Sequence, residues 1–349
     1  MRGCLQRGSD PRILLNQERG HHSRENSKTL GSAISDYIQH ETRSGRRPTT
    51  LVKYEWLRGF FSASILGRPV GDITRQDVAE IVLRLDNSGK HNAAKRLANF
   101  AKRVFNRAMI TGAIDLNPAT ELAALVTNVR TQHHPALTDP HDVGKLLRKI
   151  GQYSGRPVTQ FALTVAPHVF LRPGELRQSL WTDVDFENGY WMIPAERMKM
   201  GRDHIIPVTD QVMSSLRFSK TMLPTSEYIF PAHHNPSVPI SENTLNQALK
   251  RMGFKAQMTA HGFRSLASTL LNEMGWNRDW IEMQLAHSQK DAVRASYNRA
   301  TYLDQRRRMM CSWSNYLDAL RDGCGAPPNI ELFGASAPIL LSDRELKNV

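Results

Sequence analysis

The stretch His261–Trp276 reads HGFRSLASTLLNEMGW. Leu266, Leu270 and Leu271 fall on one side of a 3.6-residue repeat, which predicts a helix with one side in a core. His261 and Arg264 stand three residues apart at its start, and positions i and i+3 share a helical face. Two protonatable or cationic groups held together there form either a solvated polar face or a site for an anion, phosphate foremost. The rest of the chain decides between these.

Composition narrows the choice. The chain has 349 residues with 46 Lys+Arg and 33 Asp+Glu, a net charge of +13. That length predicts two domains and is ample for a buried core. No apolar run approaches the roughly 18 residues of a membrane span, and the N-terminus MRGCLQRGSDPRILLNQERG lacks the apolar segment of a secretory signal. Cys4, Cys311 and Cys324 show no paired spacing, which fits a reducing bacterial cytoplasm. The charge is uneven. Residues 1–130 hold 21 basic against 12 acidic residues, a surplus of 9, and residues 131–349 hold 25 against 21, a surplus of 4. A basic balance of this kind points to a polyanion, nucleic acid first.

Residues 1–28 are polar and aperiodic and are expected to be disordered. From Leu30 a helical region follows: SAISDYIQHETR, then TTLVKYEWLRGFFSASIL as a single second helix, then GDITRQDVAEIVLRL. In the third, Thr74 with Asp77 three residues on forms a capping-box variant. The fourth, NAAKRLANFAKRVFNRAMITG, carries Lys95, Arg96, Lys102, Arg103 and Arg107 over an Ala/Leu/Phe/Val face. Any one of these cations reads as solvated surface; as a cluster in a basic domain they read as a face that tracks DNA phosphates. The domain spans 29–130, residues 131–136 link it to a second domain at 137–322, and 323–349 form a disordered tail. In the second domain VDFENGYWMI reads as strand, Asn-Gly turn and strand, and HIIPV supplies a third strand after a basic loop containing Arg202, a further DNA-binding cation. Helices are expected at 139–152, 158–170, 242–253, 260–275, 278–288, 291–298 and 302–320. The fold class is mainly α, with one small antiparallel sheet. The histidine pairs at 21–22, 133–134 and 233–234 lack the spacing of a zinc site, so no metal is expected.

The ordered series Arg172 in RPGEL, Lys199 in RMKMGRDHIIP, His261 and Arg264 in HGFR, His287 in LAHS and Tyr297 in RASYNRA resembles the active-site set of the tyrosine recombinases. PAERMKM, SENTLN and MTAHGFR are similar to the phage- and genomic-island-type integrases. The likeness extends over about residues 30 to 320. It implies a helical, SAM-like core-binding domain and a mostly helical catalytic domain, closing around duplex DNA at attachment sites. It further implies a homotetramer on two synapsed sites, a directionality factor and a host DNA-bending protein as additional partners, and no cofactor.

The chemistry suits these residue types. Opening a phosphodiester without metal requires neutralising charge on the non-bridging oxygens, and Arg172 and Arg264 can do so bidentately. By resemblance, Tyr297 is the nucleophile, Lys199 protonates the leaving 5′-oxygen, His261 helps accept the tyrosine proton, His287 bonds the phosphate and Glu175 supports Arg172. Tyr302 is a rival nucleophile, but only Tyr297 stands ten residues after His287. The alternatives are an inactive integrase relic that only binds DNA, and a type IB topoisomerase with the same chemistry. Only about 28 residues precede the first helix, too few for the arm-type DNA-binding domain that many integrases of this group carry, so the expectation is either that this domain is absent or that the chain is a truncated or mis-started copy.

Overall fold

The structure, a computed structural model, describes residues 28–129, 135–198, 201–222, 226–287 and 301–324. The chain divides into two compact units, Met1–Thr131 and Gln132–Val349. Among the described residues no helix is long and apolar enough to cross a membrane.

The first unit is helical. Helix α1 (Leu30–Arg43) is capped by the Thr29 hydroxyl, which accepts from the Ser32 amide at 3.2 Å. The single helix expected over 49–66 is two: α2 (Pro48–Arg58) and the short α3 (Ala63–Leu66). Gly59 ends α2, Phe61 turns into the core, and the Ser62 hydroxyl caps α3, so a local cap and one buried ring override the helical pattern. In α4 (Arg75–Asn87) the Thr74–Asp77 capping box is present, and Arg68 adds a 2.7 Å bond to the same carboxylate. Helix α5 (His91–Ile110) buries Ala94, Leu97, Ala101, Val104 and Phe105. At 3.6 residues per turn its five cations fall within about 140° of the opposite side. The rings of Tyr37, Tyr54 and Phe100 pack with centroids 5.3–5.9 Å apart and join α1, α2 and α5. Asp86, at the end of α4, accepts from the Thr127 amide and hydroxyl and from His91, which secures the chain leaving the unit.

The second unit contains α6 (Pro140–Gly151), α7 (Pro157–Val169), α8 (Pro173–Arg177), β1 (Val184–Asp185), β2 (Tyr190–Ile193), β3 (His204–Pro207), α9 (Asp210–Met222), β4 (Pro231–Ala232), β5 (Asn235–Pro239), α10 (Thr244–Arg251), α11 (Gly262–Glu273), α12 (Arg278–Gln284) and α13 (Leu303–Asp322). Strands β1, β2 and β3 form an antiparallel sheet in that order. The turn between β1 and β2 is a four-residue loop rather than a two-residue one: the Asp185 carboxylate accepts from the amides of Glu187 and Asn188, and Gly189 alone adopts the left-handed conformation, φ +70°. The β4–β5 pair and helix α9 were not expected. β4 is two residues long and proline-bearing, and α9 opens with mixed polar residues that mask its period. The helix expected at 291–298 lies outside the described residues. Helices α6 and α13 cross so closely that a Cβ at Gly144 would stand 2.4 Å from the Leu320 carbonyl. Trp191, Trp313, Phe170, Phe230 and Phe263 fill the core between the sheet and the helices.

The capping box of α4 generates a pH-dependent stability. Bonding to Arg68, then to the Thr74 backbone, holds the Asp77 carboxyl down to about 2 against an ordinary value of 3.8. A depressed carboxyl stabilises the fold above its unfolded value, and the contribution is lost as pH falls through the folded value. Asp77→Ala is expected to lower the unfolding free energy by about 1 kcal/mol at neutral pH. In denaturant titrations the difference from the parent should shrink steadily from about pH 4 to about pH 2.

Candidate active site

The expected phosphate-binding residues are placed by the ends of helices. Pro173 starts α8, and its predecessor Arg172 is extended, φ −63° and ψ 145°, as a residue before proline must be. Glu175 lies in the first turn with 6% exposure. One oxygen of its carboxylate accepts from the Arg172 amide at 3.0 Å and the other from Arg172 Nη1 at 2.8 Å. A single buried acid thus fixes both the backbone and the guanidinium of Arg172. Arg172 Nη2 donates to the Ala286 carbonyl at 3.0 Å.

Arg264, in the first turn of α11, is 4% exposed. Its Nη1 donates to the Phe170 carbonyl, and its Nη2 to the Leu285 carbonyl at 2.6 Å and to His287 Nε2 at 3.1 Å. Described residues therefore engage three of the five guanidinium N–H groups. Burial, then the neighbouring positive charge of Arg172, pushes Arg264 down to about 10, still well above neutrality. The carboxylates of Glu175 and Glu282 act in the opposite sense.

Two of the three carbonyls that accept from this pair, those of Phe170 and Ala286, belong to residues with unusual backbone. Helix α12 closes in a Schellman motif: the Ala286 amide donates to Met283 O at 3.1 Å and the His287 amide to Glu282 O at 3.0 Å. That motif needs a left-handed residue, and here it is Ala286, φ +48°, rather than glycine. Phe170, at the end of α7, is also left-handed, φ +58°. Helix C-termini carry negative partial charge, so two of them flank the buried guanidinium. The Trp313 indole donates to the Pro167 carbonyl at 2.9 Å, and the His168 ring bonds the Ser314 hydroxyl at 2.8 Å, which clamp the end of α7 to α13.

His287 is oriented from both sides. Its Nδ1 stands 2.9 Å from Glu282 Oε2 and its Nε2 faces the Arg264 donor, so the proton sits on Nδ1 and Nε2 accepts. Its side chain is 43% exposed and Glu282 37%. His261 is the cap residue of α11, half-buried, and its carbonyl accepts from the Arg264 amide at 3.1 Å. Lys199 and Tyr297 lie outside the described residues. So direct bonds pair Arg172 with Glu175 and Arg264 with His287, and the Leu285–Ala286 turn joins the two pairs; Glu282 and the carbonyls of Phe170, Leu285 and Ala286 are partners that sequence reasoning did not single out. Glu282 had a faint signal, five residues before His287; a carbonyl has none.

The expected DNA-binding cations are placed elsewhere. Arg202 is exposed in the loop between β2 and β3. On α5 of the first unit, Lys95, Arg96 and Arg103 are exposed while Lys102 and Arg107 are half-buried. Lys102 pairs with Glu121 at 2.8 Å and Arg103 donates to the Tyr54 hydroxyl at 3.4 Å, so these two are partly committed within their own unit. Asp139, His141 and Asp142 cluster at the start of α6, but one Asp139 oxygen already caps the helix through the amides of His141 and Asp142.

Residues 137–303 match the phage integrase family and residues 31–125 match the phage integrase central domain. Protein IntB of Escherichia coli (strain K12) is 34% identical over 276 residues, which cover 74% of this chain and 69% of that one. The integrase of Enterobacteria phage P4 is 36% identical over 257 residues, covering 69% of this chain and 58% of that protein. The chain thus spans about three fifths to two thirds of the length of these relatives. A lambda integrase tetramer bound to a Holliday junction shares the fold, with a TM-score of 0.60, 20% identity and coverage of 81% of this chain and 89% of that one. The chain belongs to the phage integrase family, of the tyrosine-recombinase type.

The left-handed alanine makes a direct prediction. Ala286→Gly relieves a conformation that costs a side-chain-bearing residue about 1 kcal/mol. The variant is expected to gain roughly 0.5–1 kcal/mol of unfolding free energy in urea titrations. A loss of stability would show that the methyl group, rather than the backbone, determines the turn.

Proposed function

We propose that this chain is a site-specific recombinase that cleaves and rejoins DNA at attachment sites, integrating or excising a prophage or genomic island in the bacterial cytoplasm. The observation that carries the reading is the pair Arg172 and Arg264, preordered by Glu175 and by two helix ends, with His287 beside them. Two like-charged guanidiniums held this close are best stabilised by an anion, and a phosphodiester offers the paired oxygens that bidentate donors fit.

The reaction follows from this clamp and the family resemblance. The Tyr297 oxygen attacks phosphorus while the bond to the 5′-oxygen breaks. The product is a 3′-phosphotyrosyl ester and a 5′-hydroxyl, whose proton comes from Lys199, while His261 helps accept the tyrosine proton. Arg172, Arg264 and His287 stabilise the charge on the non-bridging oxygens. A 5′-hydroxyl from a partner strand then reverses the step, so the phosphodiester energy is conserved. Duplex attachment sites are the substrates, and a homotetramer on two sites is the assembly. The lambda integrase tetramer on a Holliday junction supports both by likeness of fold. A directionality factor and a host DNA-bending protein are proposed further partners.

Sequencing the DNA junctions formed in cells that express the protein tests this reading and gives the site. On a nicked duplex of that sequence, Tyr297→Phe is expected to bind DNA as the parent does and to form no covalent adduct, whereas Tyr302→Phe forms it. Arg264→Lys keeps the charge but loses the planar fork, and cleavage is expected to fall on the order of a hundredfold. An adduct that persists in Tyr297→Phe would overturn the assignment; relaxation of any plasmid regardless of sequence would favour a topoisomerase.

The α5 face is proposed to track the DNA backbone. Replacing Lys95, Arg96 and Lys102 with Gln spares Arg103, which touches Tyr54. Each lost phosphate contact should reduce the slope of log affinity against log salt by about 0.9. Affinity should fall alike for cognate and random duplex. An unchanged slope would remove this face from the account.

A further inference from the structure

Arg306 stands in the run Arg306–Arg308 of α13, which reads as solvated charge, yet it is 2% exposed. Its bonding is unusual for a buried cation. Nε and Nη2 both donate to Gln284 Oε1, at 2.9 and 2.7 Å, Nη2 also donates to the Ile205 carbonyl, and Nη1 to the Thr301 carbonyl at 3.3 Å. These partners are carbonyl oxygens rather than carboxylates. Burying a cation this way is costly, so the arrangement calls for a reason other than stability.

Gln284 supplies one. It is fully buried, and among the described residues its Nε2 has no hydrogen-bond partner. The side chain is therefore held for its oxygen alone. Its main-chain carbonyl is gripped too, accepting from His204 Nε2 at 3.1 Å. Burial pushes His204 down to about 3, so the ring is a neutral donor. Gln284 is the last residue of α12, and the next three residues are the Leu285 and Ala286 carbonyls that hold Arg264 and Arg172, and then His287. β3 and α13 thus grip the one residue from which the phosphate clamp hangs.

We propose that Arg306 and Gln284 form a positioning bridge, which fixes the Leu285–His287 turn so that Arg172, Arg264 and His287 converge on one phosphate. The bridge rests on the cleavage reading above for its purpose, but not for its geometry. It touches no substrate and acts through the turn. The oxygen of Gln284 is the essential atom, and Gln284→Glu keeps it while replacing an amide that has no described partner.

The test uses the full chain and the nicked duplex recovered by junction sequencing. Gln284→Met and Arg306→Met are expected to slow covalent adduct formation at saturating DNA on the order of a hundredfold, the scale of a small misplacement of catalytic groups. DNA affinity should stay within about threefold of the parent. Gln284→Glu should cleave within about threefold of the parent, and the double Met variant should be no slower than the slower single one, because the two act as a unit. Hydrogen exchange supplies a readout independent of activity. The amides of Ala286 and His287 should exchange at least roughly tenfold faster in both Met variants, and at the parental rate in Gln284→Glu. Parental exchange and cleavage in both Met variants would overturn the bridge, as would a loss of cleavage matched by an equal loss of DNA binding. If the parent itself forms no adduct, the cleavage reading fails and the exchange result alone decides the bridge.

Discussion

A guanidinium withdrawn from water and set between the carbonyl ends of two helices is the constraint on which the second unit depends. Removing a cation the size of Arg264 from solvent costs several kcal/mol after relaxation. Here the cost is offset by the Phe170 and Leu285 carbonyls and by the negative ends of α7 and α12. Those carbonyls face the guanidinium only if the chain turns sharply after each helix. Both turns use a left-handed residue that carries a side chain, Phe170 and Ala286. Such residues persist where the surroundings over-determine them. The surroundings are visible: Trp313 and Ser314 hold the end of α7, while Arg306 and His204 hold the end of α12.

The same constraint sets the charges. Burial, then the neighbouring charge of Arg172, depresses Arg264, and the carboxylates of Glu175 and Glu282 act in the opposite sense. The two acids are used differently. Glu175 is buried and bonds the Arg172 backbone as well as its head group, so it fixes position. Glu282 is more exposed and holds the His287 ring, which leaves Nε2 turned to Arg264. Donors ordered before the anion arrives need no reorganisation when charge develops, and this is where the largest electrostatic benefit lies.

Much of this was legible in the sequence, and the remainder was not for physical reasons. Side-chain chemistry leaves a signature: Arg172, Arg264 and His287 stand out by type and order and Glu175 by resemblance, and the structure pairs Arg172 with Glu175 and Arg264 with His287. The His261–Arg264 spacing and the apolar leucines placed α11, and the Thr74–Asp77 pair placed the start of α4. Main-chain carbonyls leave no signature, so the ligands of the arginines stayed hidden. A left-handed turn is announced by glycine, and Ala286 gives no such notice. Arg306 stands beside the basic Arg307 and Arg308, and only the fold shows that its partner lies 22 residues away. Local caps divided the second expected helix, which periodicity alone could not foresee. Lys199 and Tyr297 lie outside the described residues, so their roles rest on resemblance.

The two units spend the same residue types in opposite ways. On α5, cations lie on one polar face; Lys102 pairs with Glu121 at the surface and Arg103 reaches the hydroxyl of the buried Tyr54. In high dielectric each such charge interacts weakly with a partner ion, but a row of them facing a polyanion gains from counterion release and carries no sequence information. In the second unit a few cations are buried, so each acts in low dielectric and in one geometry. The first arrangement suits affinity and tolerates substitution one residue at a time. The second suits chemistry and tolerates almost none, because a displaced carbonyl at Leu285 or Ala286 moves an arginine with it. The surplus of positive charge in the first 130 residues is the sequence-level trace of this division: where the charge is abundant it is exposed, and where it is balanced by acids it is buried and aimed.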